Sequence, residues 1–251
     1  MRVNIEDGSC QVTEQVPRAL NAILFDLYDT LIWLDVGQSD AGRMELAGRI
    51  GVSVEHFMSA WRTSVTDRML GKGGGLAGHL ASTLSILGVE SSRDLVSELV
   101  AIEERRLKVS VHLYPGVVPV LQRLKRSGYR LGLLSNVSDG AAIPITHLGL
   151  ECLFDSMILS HEVGLLKPNP AIFELACRRL NASPRETMFV ADGGFGELDA
   201  AHRLGIFSVI VEQDHQSKDY GSSTEYDVKI TDISELESIL LVHPATSSNA
   251  Q

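Results

Sequence analysis

Short apolar runs alternate with amphipathic segments along the chain from Arg18 onward. This order predicts parallel strands that are connected by helices. Because the runs are apolar on both faces, they suit a sheet that helices cover on each side. The sequence therefore predicts an α/β fold with a doubly wound parallel sheet. The candidate strands cover residues 22–27, 129–136, 154–160, 187–192 and 207–212.

The stretch 35–113 has a different pattern, because its apolar positions recur at helical spacing and it contains no convincing strand. After Ser53, a plausible N-cap, apolar side chains recur every four residues from Phe57 to Met69. We expect a helical insertion of about four helices, which ends near Pro115. The predicted division of the chain is a mobile extension at 1–17, a core at 18–34 and 114–243, the insertion at 35–113 and a mobile tail at 244–251.

Composition limits the kinds of partner that this protein has. A chain of 251 residues that is 44% hydrophobic can bury a substantial core. The formal net charge of -10 argues against a nucleic-acid surface, which needs clustered Lys and Arg. No apolar run approaches the roughly 18 residues of a membrane span, and the N-terminal residues lack the order of a signal peptide. We expect a cytoplasmic monomer or homodimer with no membrane partner that acts on a small molecule.

Reactive side chains follow three of the candidate strands. Because ligands gather at the carboxyl ends of parallel strands, we expect these groups to meet. They combine a candidate carboxylate nucleophile, hydroxyls, a second carboxylate and an ammonium from a proline-bounded turn that we expect to open a helix. This set suits phosphoryl transfer through a covalent aspartyl intermediate, in which Mg²⁺ and a lysine offset the repulsion between anions. The groups are Asp26 with Asp29 and Thr30, Ser135 with Asn136, Asp192, and Lys167.

Four short motifs resemble those of the haloacid dehalogenase-like hydrolase superfamily. "FDLYDTL" is similar to its first motif, "LLSN" to its second, "SHEVGLLKPNP" to its third and "FVADGGFGELDAA" to its fourth. They occur in the order of the family, and the helical insertion lies where the family has a cap. The resemblance covers residues 22–240 and implies a Rossmann-like core with an inserted all-helical cap.

The resemblance also implies a metal-binding nucleophile. Asp26 would be the nucleophile and a Mg²⁺ ligand, and Tyr28 would offer its backbone carbonyl to the metal. Asp192 would hold Mg²⁺ directly or through water, with Glu197 in support. The implied cofactor is therefore Mg²⁺.

The remaining matching residues have implied roles around the transferring group. Thr30 would orient the nucleophile, and Lys167 would neutralise charge. Ser135 and the Asn136 amide would hold the group that is transferred. The implied substrate is a small phosphate monoester.

Tyr28 departs from the pattern of the family phosphatases, which usually carry an Asp at this position. That Asp protonates the leaving oxygen and later activates water. A phenol with a pKa near 10 is a poor general base at neutral pH, and losing such a group costs about 10² to 10⁴ in rate. Asp29 is one alternative proton donor, although in a continuing strand it would point to the opposite face from Asp26.

A second hypothesis is a carbon-halogen hydrolase, because family dehalogenases also carry a tyrosine at this position. In those enzymes a cap arginine grips the substrate carboxylate, and the Trp61 and Arg62 pair resembles its motif. They work without metal and have serine and asparagine in the fourth motif, whereas this chain keeps Asp192 and Glu197. A third hypothesis is a catalytically weakened member that binds a phosphorylated ligand. The leading hypothesis is a Mg²⁺-dependent phosphatase.

Overall fold

The computed structural model describes residues 20–214 and 223–240. The predictions of mobile ends at 1–17 and 244–251 lie outside the described residues. The strands are β1 Ala22–Phe25, β2 Ile32–Leu34, β3 Val111–Leu113, β4 Arg130–Ser135, β5 Ser156–Leu159, β6 Thr187–Ala191, β7 Phe207–Val211 and β8 Val228–Ile230. The helices are α1 Val36–Arg49, α2 Val54–Arg62, α3 Val65–Met69, α4 Gly75–Ile86, α5 Arg93–Ser110, α6 Val117–Arg126, α7 Ala142–His147, α8 Ser160–Val163, α9 Pro170–Arg179, α10 Glu197–Arg203 and α11 Glu235–Leu240.

In the described part of the chain, six strands form one parallel sheet in the order β5-β4-β1-β6-β7-β8. All five predicted strands are present, which confirms the α/β prediction. Strand β8 was not predicted; it is a three-residue edge strand whose middle residue, Lys229, is exposed. The central strand β1 pairs with β4 on one side and β6 on the other. Side chains that follow these three strands are therefore neighbours.

Apolar side chains on both faces of the sheet hold it rigidly. Phe25, Leu133 and Val190 are buried in the cluster on one face. Leu24, Leu134 and Phe189 are buried in the cluster on the other. Adjacent strand residues point to opposite faces, so each strand contributes to both cores. The ends of β1, β4 and β6 are thereby fixed relative to one another.

The helical segment, α1 to α5, builds a third apolar cluster of its own. Leu46, Phe57, Leu80, Leu84 and Leu99 are buried in it. Helix α1 packs along α5, which closes the segment on itself. The side chains of the N-cap residues Asp35, Ser53 and Ser92 each accept a backbone hydrogen bond at the start of a helix.

Two sequence expectations for this segment were wrong. β3 lies inside the stretch expected to lack strands, where it pairs antiparallel with β2. Three-residue strands that pair only with each other leave too short a pattern to read. The helix expected to run to Met69 breaks between α2 and α3, where the Thr63 hydroxyl donates to the Ala60 carbonyl at 2.7 Å. Such local bonds compete with continuation of a helix.

The helical segment contacts the core at segments that follow the carboxyl ends of two strands. Gly71, with φ of 73°, lies so close to the core that an added Cβ would be 2.0 Å from the His161 carbonyl oxygen. The Leu76 amide donates to Asp139 Oδ2 at 2.7 Å. The buried His79 lies 4.0 Å from the same carboxylate. The segment therefore rests on the loops that follow β4 and β5.

Candidate active site

The carboxyl ends of the three central strands bring the predicted side chains together. Asp26 follows β1, Ser135 ends β4 and Asp192 follows β6. The Ser135 hydroxyl donates to Asp26 Oδ1 at 2.9 Å. Asp26 is almost fully buried. Parallel pairing of β1 with both neighbours thus produces the contact that the motifs imply.

Lys167 is the cation of this site and is only 5% exposed. Its ammonium lies 2.5 Å from Asp26 Oδ1 and 2.5 Å from Glu197 Oε2. The expectation that Lys167 opens a helix was wrong, because α9 begins at Pro170 with Asn169 as its N-cap. The lysine precedes that cap, in a turn that points it back at the sheet edge.

Asn136 positions this lysine through its backbone. The side chain of Asn136 donates to the Lys167 carbonyl and accepts from the Lys167 amide, both at 2.8 Å. This paired contact fixes the turn between β5 and α9. The role of the Asn136 amide toward a transferring group stays a prediction.

Thr30 links the loops after β1 and β6. Its buried hydroxyl accepts a hydrogen bond from the Asp192 amide at 3.0 Å. Its carbonyl accepts from the Gln213 side chain at 2.8 Å. Thr30 therefore holds the backbone that presents Asp192.

Three carboxylates of the described residues could hold a metal ion together. Asp26, Asp192 and Glu197 each offer an oxygen, and these atoms lie within 4.8 Å of one another. Hard cations such as Mg²⁺ prefer such oxygen ligands. Lys167 contacts two of these carboxylates. Because one lysine stands against three carboxylates, the cluster has a net negative charge when they are ionised. The donor set fits a divalent cation.

Burial controls the charges of this cluster. Desolvation raises the pKa of Glu197 to about 8; Lys167 opposes the rise, while Asp26 and Asp192 add to it. Desolvation, followed by the Asp26 charge, also raises the pKa of Asp192. Burial by itself would lower the pKa of Lys167, but Asp26 and Glu197 raise it. Burial is the main cause of both raised carboxylate pKa values, so a cation bound at the cluster would favour the ionised forms of Asp192 and Glu197.

Tyr28 reaches toward the helical segment. Burial of its hydroxyl raises the pKa of Tyr28 to about 12; the Arg106 charge lowers it and the Glu103 charge raises it. The phenol is therefore neutral at physiological pH. Asp29 has φ of 55°, so the chain turns there and the strand alternation used for Asp29 does not apply. Whether the Tyr28 carbonyl binds metal stays a prediction.

The charged residues of α5 near Tyr28 form a buried ion pair. Arg106 contacts both carboxylate oxygens of Glu103, at 2.6 and 2.7 Å. It also donates to the Ser39 hydroxyl at 2.8 Å. Sequence reasoning missed this pair, although its i,i+3 spacing on a helix was a signal.

The structure separates the candidate substrate arginine from the buried arginine of the segment. Arg62 is exposed, and its side chain forms no hydrogen bond or ion pair with a described residue. Its role with substrate stays a prediction. Arg68, which sequence reasoning missed, is buried and stacks over Trp61 with its guanidinium carbon 4.1 Å from the ring centre. The seven-residue spacing of Trp61 and Arg68, two helical turns, was the available signal.

The family model "haloacid dehalogenase-like hydrolase" matches residues 20–205, from the start of the sheet to the end of α10. The chain belongs to the haloacid dehalogenase-like hydrolase family. It is therefore a hydrolase, as the four motifs predicted. The matched residues include the nucleophile candidate Asp26, Lys167 and all three clustered carboxylates.

Family relatives fall into two functional groups. The chain is 28% identical to a glyceraldehyde 3-phosphate phosphatase of Methanopyrus kandleri, over 77% of this chain and 84% of the relative. It is 27% identical to the (S)-2-haloacid dehalogenase 4A of Burkholderia cepacia, over 80% and 87%. The crystal structure of a HAD phosphatase from Thermococcus onnurineus aligns with a TM-score of 0.62 at 21% identity, over 88% and 98%, and shows the shared fold. None of the helices in the described ranges combines the length and the hydropathy of a membrane span.

Proposed function

We propose that this hydrolase is a Mg²⁺-dependent phosphatase of a small phosphate monoester. The observation that carries the proposal is the cluster of Asp26, Asp192 and Glu197, whose oxygens lie within 4.8 Å of one another. A carbon-halogen hydrolysis has one anionic carboxylate to place, whereas a phosphate dianion beside a carboxylate nucleophile needs a strong cation. The three clustered carboxylates, buried at Asp26 and Glu197 and partly buried at Asp192, supply the ligands for it.

The proposed reaction begins with attack of an Asp26 oxygen on phosphorus, in line with the leaving oxygen. The bond between phosphorus and that oxygen breaks, and the leaving group departs as an alkoxide or phenoxide that takes a proton from water. Asp26 and Asp192, with Glu197 in support, would hold Mg²⁺, which would supply charge neutralisation at the transferring group. The Ser135 hydroxyl, which donates a hydrogen bond to Asp26 in this structure, donates instead to the phosphoryl oxygens. The Asn136 amide donates to the same oxygens. Lys167 keeps its ammonium against the nucleophile and balances the charge of the aspartyl phosphate. Water then hydrolyses this intermediate and restores Asp26.

The helical segment acts as a cap in this proposal. Residues 35–113 rest on the loops that carry the site, through the contacts of Gly71 and Leu76. Closure of the cap excludes bulk water and selects the substrate. Since Tyr28 gives no efficient acid, aryl phosphates, whose leaving groups need little protonation, should be hydrolysed faster than alkyl phosphates.

A carbon-halogen hydrolase remains the second candidate. Tyr28 and the similarity to the Burkholderia cepacia dehalogenase favour it. In that reaction Asp26 attacks carbon and halide leaves without a proton. The phosphatase proposal is preferred because the clustered carboxylates have no evident role in a reaction without metal.

The test is release of p-nitrophenol from p-nitrophenyl phosphate. We expect activity that requires Mg²⁺, is abolished by a chelator and is lost in Asp26→Asn. The parallel assay measures halide release from 2-chloropropionate. Halide release that is insensitive to chelator, with no phosphate release, would replace the phosphatase proposal with the second candidate.

A further inference from the structure

Arg68 is a buried cation without a contacting carboxylate. The side chain is 6% exposed, yet among the described residues no Asp or Glu oxygen lies within 4.0 Å of its guanidinium. Nη1 donates to the Trp61 carbonyl and, at 3.0 Å, to the Ser64 hydroxyl, both neutral acceptors. Buried charges in proteins are normally paired, because taking a charge out of water is costly.

The nearest carboxylates are already engaged elsewhere. Glu103 and Asp139 both lie within electrostatic reach of Arg68. Glu103 makes its paired contact with Arg106, and Asp139 accepts from the Leu76 amide. Neither described carboxylate therefore serves as a direct counterion of Arg68.

Two nitrogens of Arg68 remain available to a ligand. Nη1 makes both hydrogen bonds of the guanidinium with described residues, which leaves Nε and Nη2. Neither nitrogen is fully enclosed by the protein, so a ligand can reach both. Stacking on Trp61 and the two Nη1 bonds fix the plane of the guanidinium, so its remaining donors are preorganised.

Arg68 lies on a helix at the contact between the cap and the core. Helix α3, which carries it, packs against α8, directly after β5. Ser160 of α8 exchanges hydrogen bonds with the backbone of Val137, next to Asn136. Glu103 lies within electrostatic reach of both Arg68 and the Tyr28 hydroxyl. Arg68 is thus carried by a helix that packs against the loop region that follows β5, which in turn bonds to the loop after β4.

We propose that Arg68 is a specificity-determining residue that binds a second anionic group of the substrate, a carboxylate or a second phosphate. The inference rests on the proposed phosphatase function and narrows the substrate class to phosphate monoesters with a second negative charge. A planar guanidinium with two open donors matches the paired oxygens of such a group. The substrate thereby supplies the counterion that the described residues do not.

Three substrates test this proposal in the full-length enzyme with Mg²⁺. Ethyl phosphate and 2-phosphoglycolate have the same length, but only the second carries a carboxylate. Ethane-1,2-diyl bisphosphate carries a second phosphate instead. The variants are Arg68→Met, Arg68→Lys, which keeps the charge but not the planar fork, and Arg62→Met, with the exposed cap residue Arg93→Met as the control.

Arg68→Met should lower kcat/KM by about 10- to 100-fold for the substrate with the preferred second anion. For ethyl phosphate it should change kcat/KM by less than about threefold, and Arg68→Lys should recover only part of the loss. Arg93→Met should leave all three values unchanged. The substrate with the greater loss identifies the second anion as carboxylate or phosphate.

Several results would overturn the inference. An equal loss on all three substrates would make Arg68 structural, and a selective loss in Arg62→Met alone would transfer the role to Arg62. Equal wild-type kcat/KM values for all three would remove the second anion from the substrate class. If Arg68→Met does not fold by its melting curve, Arg68→Lys decides between these outcomes. Absence of hydrolysis of all three and of p-nitrophenyl phosphate by wild type would instead reject the proposed function itself.

Discussion

Replacing Lys167 with methionine tests whether one ammonium holds the buried carboxylates together. The lysine contacts Asp26 and Glu197 at 2.5 Å each, and the side chains of both partners are at most 10% exposed. Methionine preserves the approximate length and the apolar stem but removes the charge. The two carboxylates, with Asp192 beside them, would then face one another without a protein cation.

The magnitude follows from burial. Removing one partner of a buried ion pair costs about 3–5 kcal/mol, because the remaining charge stays desolvated. Glu197 limits the cost: burial raises its pKa to about 8 even beside the lysine, so it is mostly protonated at neutral pH and removal of the lysine leaves less unpaired charge. We therefore expect the lower end, about 3 kcal/mol. For a chain of this size that corresponds to a fall of about 6–12 °C in Tm.

The assay is urea unfolding and thermal melting at pH 7, with and without Mg²⁺. Mg²⁺ should raise the Tm of Lys167→Met more than that of wild type, because the metal restores the missing positive charge. Lys229→Met is the matched control, since Lys229 pairs with Glu212 at 2.7 Å on the surface and should cost less than about 1 kcal/mol. A Lys167→Met cost below 1 kcal/mol, with no response to Mg²⁺, would refute the reasoning.

Three further predictions concern the helical segment and the loop that follows β1. Tyr28→Asp should raise kcat/KM for ethyl phosphate by about 10-fold or more, because aspartate supplies the missing acid. Tyr28→Phe should change kcat/KM less than about threefold, because the phenol with its raised pKa gives little acid catalysis. Steady-state kinetics measure both, and no gain in Tyr28→Asp would show that the missing acid is not limiting. Burial lowers the pKa of His79 below its usual 6.5, so as the pH drops below about 6.5 the unfolded state takes up the proton more readily and stability falls. His79→Gln should therefore flatten the dependence of Tm on pH between about pH 7 and 5. An identical slope in His79→Gln and in the exposed control His56→Gln would contradict this. Gly71→Ala should lower both Tm and phosphatase activity, because its Cβ would collide with a core carbonyl. Gly88→Ala, with a similar positive φ but open space around it, should lower the free energy of unfolding by only about 1 kcal/mol. Equal effects of the two variants on melting and activity would exclude a role for the contact between the helical segment and the core.

The sequence predicted those features whose cause is local or repeated along the chain. Strands β1, β4 and β6 are apolar on both faces, which is sufficient to identify them and to place Asp26, Ser135 and Asp192 at one edge. The order of strands and helices then determined the fold class. The pairing of Lys167 with Asp26 needed the family motifs, because 141 positions separate the two residues.

Features that depend on packing of the cap against the core were not readable. The surroundings of Tyr28 are set by Arg106 and Glu103, which reach it only when α5 lies over the β1 loop. The isolation of Arg68 from carboxylates likewise depends on which neighbours Glu103 and Asp139 have already bonded. No periodicity in the chain carries that information. The antiparallel pair of β2 and β3 was not predicted, because each strand has only three residues and shows no recognisable pattern.

The central claim, that Asp26 becomes phosphorylated, is most directly tested by rapid acid quench of the enzyme during turnover of p-nitrophenyl phosphate with Mg²⁺. Mass spectrometry of the peptide that contains Asp26 should show the added mass of one phosphoryl group. Hydroxylamine should remove that mass, and it should be absent when Mg²⁺ is chelated. Phosphate release at the wild-type rate by Asp26→Asn, or a phosphoryl group found on another residue, would contradict the account.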